Sequence, residues 1–316
     1  MNPPRSFNDV IVPYLRHASQ HQRSFETTAH RIKPLRAHFT GFVMNDLSGK
    51  HIRAYVDERL STKTSAATIN RELAALSAAI NWCNVEYEWG LPNPVKGRTL
   101  KEPEGRVRWL TRAEVESLCR AARGQKFGVI LESFIRLAVN TGCRKEEMLG
   151  LEWRRVDFAN GLIHLEGIHT KAGKRRSIPL NEGALDALKT MAGFRAQFCP
   201  ATPWVFARGN GERVICLRKG FNEACKTAGI TDFTIHDLRH TCAAHLISAG
   251  VAMAEVRDLL GHSTIMMTER YAHLAPARVR EAVRILDRGR EQPSSRSVHA
   301  ASPACQGGAL LKLVNP

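Results

Sequence analysis

The sequence predicts a mainly α-helical protein of two domains, with one small β-hairpin or sheet in the second domain. Apolar residues recur every three or four positions along several segments, a spacing typical of amphipathic helices. A stretch rich in Pro, Gly and charge, "LPNPVKGRTLKEPEGRVR", divides the chain into two parts. The segment "GLIHLEGIHTKAGKRRSIPL" loses the helical spacing, and its short apolar runs around Ala-Gly favour a β-hairpin.

The first domain, residues 1–91, is predicted to be entirely helical. In "SAATINRELAALSAAINWCNVEYEWG" the apolar positions are spaced alternately four and three residues apart, which places them on one face of a helix. This stripe consists of Ile69, Leu73, Leu76, Ile80 and Cys83. The stretches "DVIVPYLRHA" and "LSGKHIRAYVDERL" also read as helices.

A linker over residues 92–107 is predicted between the two domains, because prolines and glycines interrupt helices there. The second domain is predicted to cover residues 108–290. The remainder, residues 291–316, contains "EQPSSRSVHAASPACQGG", which is polar and low in large apolar residues, so we expect a flexible tail.

Helix boundaries in the second domain follow from local capping signals. Thr111 and Glu114 have the spacing of a capping box, so a helix should begin there. A break is expected at Thr141–Gly142, between two helices. After the predicted hairpin, helices return beyond residue 180, and Thr234 with Asp237 repeats the capping-box spacing.

The charge balance favours a polyanionic partner. Lys and Arg outnumber Asp and Glu by 46 to 30. The excess is concentrated in residues 106–316, with 32 basic against 20 acidic residues, whereas residues 1–105 have 14 against 10. Such a surface suits nucleic acid or an acidic membrane. The alternative is a basic protein that binds no nucleic acid specifically.

The lack of a recognisable signal peptide or membrane span, together with the cysteine spacing, predicts a cytoplasmic, nucleoid-associated protein. The N-terminus "MNPPRSFNDVIVPYL" lacks the basic start and apolar run of a signal peptide. No apolar stretch reaches the 18 residues of a membrane span. The eight cysteines include no C-x-x-C pair, which favours reduced thiols over disulfides or a cysteine-based zinc site.

The sequence predicts no cofactor and no metal. It contains no phosphate-binding loop motif, no dinucleotide fingerprint and no H-E-x-x-H zinc motif. His236, His240 and His245 raise the question of a metal site. However, no carboxylate or cysteine stands at matching positions, and the last two histidines fall on different helical faces.

The residues best suited to chemistry each have an ordinary structural alternative. They are Arg144, Lys171, His236, Arg239, His262 and Tyr271. Taken singly, Arg144 would be a surface arginine and Lys171 a solvated turn lysine. His236 and Arg239 would form a polar helix face. His262 would be a helix cap and Tyr271 a packed aromatic ring. Their order and surroundings decide between these readings.

Together, the motifs "TGCRKEEMLGLEW", "HTKAGKRRSIPL", "HDLRH", "LLGH" and "ERYAHL" resemble the tyrosine recombinase (phage integrase) family, in particular its Xer-like two-domain members. The resemblance covers roughly residues 107–280, and residues 1–91 are more loosely similar to the family's helical core-binding domain. It therefore implies a DNA-binding helical domain followed by an α+β catalytic domain.

The resemblance assigns the catalytic positions residue by residue. Arg144 and Arg239 correspond to the paired arginines, Lys171 to the hairpin lysine, and Tyr271 to the nucleophile. His236 and His262 correspond to the two histidines. The implied activity is site-specific DNA recombination through a covalent 3′-phosphotyrosine, without ATP or metal, and Arg270 is read as a surface residue.

The chemistry explains why these residue types are needed. A phosphodiester gains negative charge in its transition state, and arginine forks grip its oxygens with permanent charge. Tyrosine, with a solution pKa of about 10, needs a proton acceptor, and His236 is the expected one. Lys171 is expected to protonate the departing 5′ oxygen, and His262 to donate a hydrogen bond to the phosphate.

The resemblance also implies the partners. These are double-stranded DNA carrying an inverted-repeat recombination site, a homotetramer on paired sites, and accessory proteins in some systems. Arg175 and Arg176 are candidate phosphate contacts, with a solvated hairpin edge as the alternative.

Two other functions remain open at this point. A type IB topoisomerase uses similar chemistry to relax supercoiled DNA without a defined site. A degenerate relative would bind DNA without cutting it. The helical N-terminal half favours a recombinase over the first, and the six intact positions argue against the second.

Overall fold

The computed structural model describes residues 3–22, 24–103, 106–167, 175–262, 264–274 and 283–284. The chain divides into two compact units, Met1–Gly105 and Arg106–Pro316. Each unit has its own apolar core. The segment predicted as a flexible tail, residues 291–316, lies outside the described residues.

The first unit is helical, as predicted. Its helices are α1 (Phe7–His21), α2 (Phe25–Phe39), α3 (Gly49–Ser61) and α4 (Ala66–Tyr87). Helix α4 packs against both α1 and α2. All five residues of the predicted apolar stripe are fully buried in this helix, so the spacing identified the face of α4 that meets the core.

Residues 91–100, which belong in part to the predicted linker, pack back onto α4. The side chain of Asn84 brackets Leu91, donating to its carbonyl at 2.8 Å and accepting from its N–H at 2.7 Å. Asn70 makes the same pair of contacts with Leu100, at 2.9 and 2.8 Å. Val95 is also buried in the core of this unit.

The second unit combines helices with one small sheet. Its elements in chain order are α5 (Arg112–Arg123), α6 (Gly128–Thr141), α7 (Lys145–Leu149), β1 (Val156–Asp157), β2 (Leu162–Leu165), β3 (Arg176–Pro179), α8 (Glu182–Phe198), α9 (Arg218–Thr227), α10 (Asp237–Ser248), α11 (Met253–Leu260) and α12 (Met266–Glu269). Helix α6 is central, since it packs against α5, α8 and α10. It is apolar on most faces because neighbours surround it.

The predicted hairpin is present as strands β2 and β3, which pair in antiparallel register. Ile163 faces Ile178 across the pair, and both side chains are fully buried. A short third strand, β1, extends the sheet on the far side of β2. The connection between β2 and β3, which contains Lys171 and Gly173, lies outside the described residues.

The first predicted capping box forms in full, whereas the second forms only in part and does not cap α10. The Thr111 hydroxyl accepts from the N–H of Glu114, whose carboxylate accepts from the N–H of Thr111, so α5 begins with a full capping box. At the second pair, the N–H and hydroxyl of Thr234 donate to the Asp237 carboxylate. Helix α10 begins at Asp237 itself, after a turn that the pair closes.

The predicted break after α6 depends on Gly142, which adopts a left-handed conformation with φ of 62°. A Cβ at this position would lie 2.2 Å from the Leu260 side chain. We expect Gly142→Ala to lower the free energy of unfolding by about 1–3 kcal/mol, through backbone strain and this clash. Urea denaturation measures the change.

The matched control is Gly193→Ala, at an exposed glycine inside α8 where a Cβ meets nothing within 4 Å. Alanine there should raise the free energy of unfolding by roughly 0.5–1 kcal/mol, because it reduces the freedom of the unfolded chain and favours the helix. Effects of the same sign in the two variants would contradict the role given to Gly142.

In the described part of the chain, no helix is both long and apolar enough to cross a membrane.

Candidate active site

Segments distant in sequence meet around the candidate site in the second unit. Arg144 is the N-cap residue of α7. His236 and Arg239 lie at the start of α10. His262 follows α11, and Tyr271 lies just beyond α12. The sixth predicted residue, Lys171, lies outside the described residues.

Arg239 is buried and only partly satisfied. Its Nη1 donates to the Gly142 carbonyl at 2.6 Å, which ties α10 to the turn after α6. Its Nη2 is buried and has no hydrogen-bond partner among the described residues. Burial, and then the charge of Arg144, lower the pKa of Arg239 to about 10. The group therefore keeps its charge at neutral pH, although an unpaired buried donor is costly.

Arg144 is fixed by contacts on two sides. Its Nη1 donates to Glu147 at 3.0 Å, and its Nη2 donates to the Gly261 carbonyl at 2.9 Å. The second contact ties the start of α7 to the turn that carries His262. The two arginines therefore belong to one cationic cluster, in which the charge of Arg144 acts on Arg239.

Glu147 is the carboxylate that orders this cluster. It is 2% exposed and accepts from the side chain and N–H of Arg144 as well as from both Nη atoms of Arg176, at 2.7 and 3.0 Å. Burial alone would raise the pKa of Glu147, but the hydrogen bonds from Arg176 and Arg144 outweigh it and hold the pKa below its usual value. The carboxylate is therefore ionised and aligns Arg144.

Arg176, the first residue of β3, and Arg175, which precedes the strand, have different surroundings. Because its fork is engaged by Glu147, Arg176 is neither a free phosphate contact nor a solvated hairpin edge, and both predictions are wrong for it. Arg175 is exposed, so a phosphate contact by this residue stays a prediction.

We expect Arg176→Gln to lower the free energy of unfolding by roughly 3 kcal/mol, because it removes one partner of a buried ion pair. Arg175→Gln deletes the same charge next to it and should change stability by less than about 0.5 kcal/mol. Urea denaturation of both variants compares the two losses. Equal small effects would mean that the bond between Arg176 and Glu147 contributes little.

His262 is held in the pocket by Thr268, with 2.9 Å between its Nδ1 and the Thr268 hydroxyl. Burial, followed by the charges of Arg239 and Arg144, lowers the pKa of His262 to about 4. The ring is therefore neutral at neutral pH. With the hydroxyl donating to Nδ1, the ring proton lies on Nε2, which can donate a hydrogen bond to an anion.

His236 is exposed, yet it lies close enough to the cluster for the charges of Arg239 and Arg144 to act on it. Partial desolvation by the surrounding protein, and then the charge of Arg239, lower the pKa of His236. Its ring lies edge-on to that of His240, with centroids 5.0 Å apart. His245, the third histidine of this helix, bonds instead to the Leu110 carbonyl at 2.8 Å.

Tyr271 is 1% exposed and packs with the apolar cluster formed by α10 and α11, including Ala243, Ile247 and Leu260. Its hydroxyl forms a hydrogen bond with Nδ1 of His240. Burial is the largest cause that raises the pKa of Tyr271, to about 12, although Arg270 and Arg239 oppose it. The hydroxyl therefore stays protonated at neutral pH.

Neither Glu147 nor His240 was predicted from the sequence to have a catalytic or ordering role. A signal for the first was available, since a glutamate three residues after Arg144 stands in the first turn of α7. His240 directly follows Arg239, but its contact with Tyr271 joins residues 31 positions apart, so its role depends on the tertiary structure.

The arrangement suits reaction with an oxyanion. Two guanidinium groups, one with an unpaired buried N–H, can bind non-bridging oxygens. A neutral imidazole at His262 can add a further hydrogen bond. A tyrosine hydroxyl, a nucleophile once deprotonated, lies against His240, the residue that follows Arg239.

Comparison with known families agrees with this chemistry. Residues 108–278 match the phage integrase family, and residues 4–101 match the phage integrase N-terminal domain. The chain belongs to the phage integrase family. It is a tyrosine recombinase, a site-specific enzyme that cleaves and rejoins DNA.

The recombinase is 26% identical to the integrase of Salmonella phage P22 over 329 residues, covering 90% of this chain and 80% of that protein. It is 30% identical to tyrosine recombinase XerD of Caulobacter vibrioides, covering 75% and 80%. Its fold is similar to that of a lambda integrase tetramer bound to a Holliday junction. The TM-score is 0.71 at 21% identity, and the match covers 85% of this chain and 78% of that one.

Proposed function

We propose that this recombinase cleaves DNA with Tyr271, which forms a 3′-phosphotyrosine while Arg144 and Arg239 hold the scissile phosphate. One observation supports this proposal above all. The Tyr271 hydroxyl is hydrogen-bonded to His240, and the neighbouring Arg239 has a buried Nη2 that lacks a partner among the described residues. The Tyr271 hydroxyl and the cationic cluster lie in the same protomer, which supports the proposal.

The two arginines are proposed to grip the non-bridging oxygens and stabilise the charge that grows in the five-coordinate transition state. His262 adds a hydrogen bond from Nε2. The family motif implies that His236, exposed near Arg239, accepts the proton of the tyrosine. Lys171 is proposed to protonate the departing 5′ oxygen, a role that follows from the family motif, since the residue lies outside the described part of the chain.

The phosphotyrosine conserves the energy of the broken phosphodiester, so rejoining needs no ATP. A 5′ hydroxyl from the same or another strand attacks phosphorus, the P–O bond to Tyr271 breaks, and the tyrosine recovers its proton. The permanently charged arginines provide the charge stabilisation that a metal ion supplies in other phosphoryl-transfer sites.

We further propose that the substrate is a duplex with inverted-repeat binding sites, and that four protomers act on a pair of such sites. The net positive charge of residues 106–316 supports binding along a phosphate backbone, which should weaken steeply with salt. The similarity to the lambda integrase tetramer supports the assembly. A location in the cytoplasm on the nucleoid, and a need for accessory proteins in some reactions, belong to the same proposal.

The test is to incubate the protein with sheared genomic DNA from the cell that encodes it, capture SDS-resistant adducts and sequence the DNA. Adducts clustered at one short inverted repeat are the expected result. Adducts scattered over the genome would instead support a topoisomerase-like activity. Salt-sensitive DNA binding with no adducts would overturn the proposed cleavage.

A further inference from the structure

His240 is the side chain that contacts the reacting atom of the proposed nucleophile. Its Nδ1 is hydrogen-bonded to the Tyr271 hydroxyl, and the two rings lie at 47° with centroids 5.9 Å apart. His240 is in the first turn of α10, whereas Tyr271 follows α12, so this bond fixes the segment carrying the nucleophile to the helix carrying Arg239.

The contact is specific to His240. Among the described residues, no hydrogen bond joins His236 to Tyr271, although the ring of His236 lies edge-on to that of His240. Tyr271 is buried against apolar side chains of α10 and α11, so water has little access to its hydroxyl. A proton leaving this hydroxyl therefore passes to His240 directly.

The pair is neutral at rest. Burial, and then the neighbouring His236, lower the pKa of His240 to about 4, while burial raises the pKa of Tyr271 to about 12. An uncharged imidazole has a free lone pair, and with its proton on Nε2 it accepts at Nδ1. The hydroxyl is thus held in place without being ionised, and transfer of its proton needs a further driving force.

We propose that His240 is a further catalytic residue, whose Nδ1 positions the Tyr271 hydroxyl and takes its proton during attack on the phosphate. This inference rests on the proposed function of Tyr271 as the nucleophile. It moves the role of proton acceptor from His236 to His240.

The bond from Tyr271 Oη to phosphorus forms while the bond from phosphorus to the 5′ oxygen breaks. The phenolic proton passes to His240 Nδ1, giving an imidazolium, and the departing 5′ oxygen keeps the bonding electron pair and takes a proton from Lys171. In rejoining, the imidazolium returns its proton to the departing phenolate.

Burial and His236 are the largest causes that lower the pKa of His240, and a bound substrate supplies part of the driving force against them. The charged or titratable groups that act on His240 are His236, Asp237, Arg239 and Arg270, besides Tyr271, and the arginines oppose a positive charge on it. A phosphate bound by the arginines offsets their charge, so it makes His240 more basic. Bound DNA therefore favours deprotonation of the nucleophile.

The experiment compares His240→Asn with the wild type in single-turnover cleavage of a duplex recovered by adduct capture. Asparagine offers an acceptor oxygen near the position of Nδ1 but cannot take a proton at neutral pH. We expect cleavage to slow by about 10²–10⁴-fold at pH 7 with unchanged DNA affinity. The matched control is His273→Asn, an exposed histidine two residues beyond Tyr271, which should keep the wild-type rate.

The shape of the pH profile separates proton transfer from a structural role. The wild-type rate should level off near neutral pH, whereas that of His240→Asn should keep rising by about tenfold per pH unit, because only preformed phenolate attacks. Replacing the 5′ bridging oxygen with sulfur removes the need for a leaving-group proton. It should rescue Lys171→Ala but leave His240→Asn slow.

The possible outcomes are distinct. A slow His240→Asn with the wild-type pH profile, or its rescue by the sulfur substrate, would overturn the role of His240 as proton acceptor. A wild-type rate in this variant would do the same. Failure of the wild type to form any adduct would instead overturn the proposed function of Tyr271.

Discussion

Replacing Tyr271 with Phe should abolish the covalent protein–DNA adduct while leaving DNA binding intact. The substitution removes only the hydroxyl, which is the proposed attacking group and the partner of His240. The ring still fills its apolar site among α10 and α11, so the net loss of stability should be about 0.5–1.5 kcal/mol, the contribution of one hydrogen bond. Electrophoresis in SDS measures the adduct, and a filter-binding titration measures affinity.

Tyr55→Phe is the matched control. Tyr55 is also a fully buried tyrosine, and its hydroxyl donates to Glu72 at 2.7 Å in the first unit. Loss of the Tyr55 hydroxyl should lower the free energy of unfolding at least as much as loss of the Tyr271 hydroxyl, because its acceptor is a carboxylate. The folded Tyr55→Phe protein should nevertheless form adducts at the wild-type level. Adducts that persist in Tyr271→Phe would show that another residue is the nucleophile.

Arg239→Lys is the second substitution with a large expected effect, a fall in cleavage rate of about 10²–10³-fold. The guanidinium of Arg239 donates to the Gly142 carbonyl through Nη1 and leaves Nη2 for the phosphate. A lysine ammonium is a point charge on a flexible stem and cannot reproduce this fork. The charge is unchanged, so affinity for DNA should change little. Single-turnover cleavage and a binding titration separate the two quantities.

Arg270→Gln provides the comparison for charge alone. Arg270 is exposed and adjacent to Tyr271, and its charge acts on the same histidines. Removing it should weaken DNA binding in a salt-dependent way, with a smaller effect on cleavage once DNA is bound. A cleavage defect in Arg270→Gln as large as that in Arg239→Lys would mean that the site depends on total charge and not on the arginine fork.

Much of the fold could be predicted because the relevant signals are local. The apolar stripe on α4 and the capping box of α5 depend on residues three or four positions apart, and β2 and β3 are consecutive strands of the chain. Strand β1 was missed because a two-residue strand carries almost no periodic signal. The fold-back of residues 91–100 onto α4 was also missed, since it depends on Asn70 and Asn84 contacting backbone atoms.

The candidate site divides in the same way. The motifs predicted four of the site residues, because phosphate chemistry needs those side chains: Arg144, Arg239, His262 and Tyr271. The structure brings all four into one part of the second unit. Lys171 was named by the same motifs and stays a prediction.

What the sequence by itself determined is therefore the family to which the chain belongs, together with a set of candidate reacting groups. Only the tertiary structure decided which groups touch. Glu147 binds both Arg144, at the start of α7, and Arg176, which is 29 residues away in the sequence. His240 contacts the hydroxyl of Tyr271, which is 31 residues away. Such contacts, and the burial that keeps both His240 and Tyr271 neutral, arise only when separate helices pack together and exclude water.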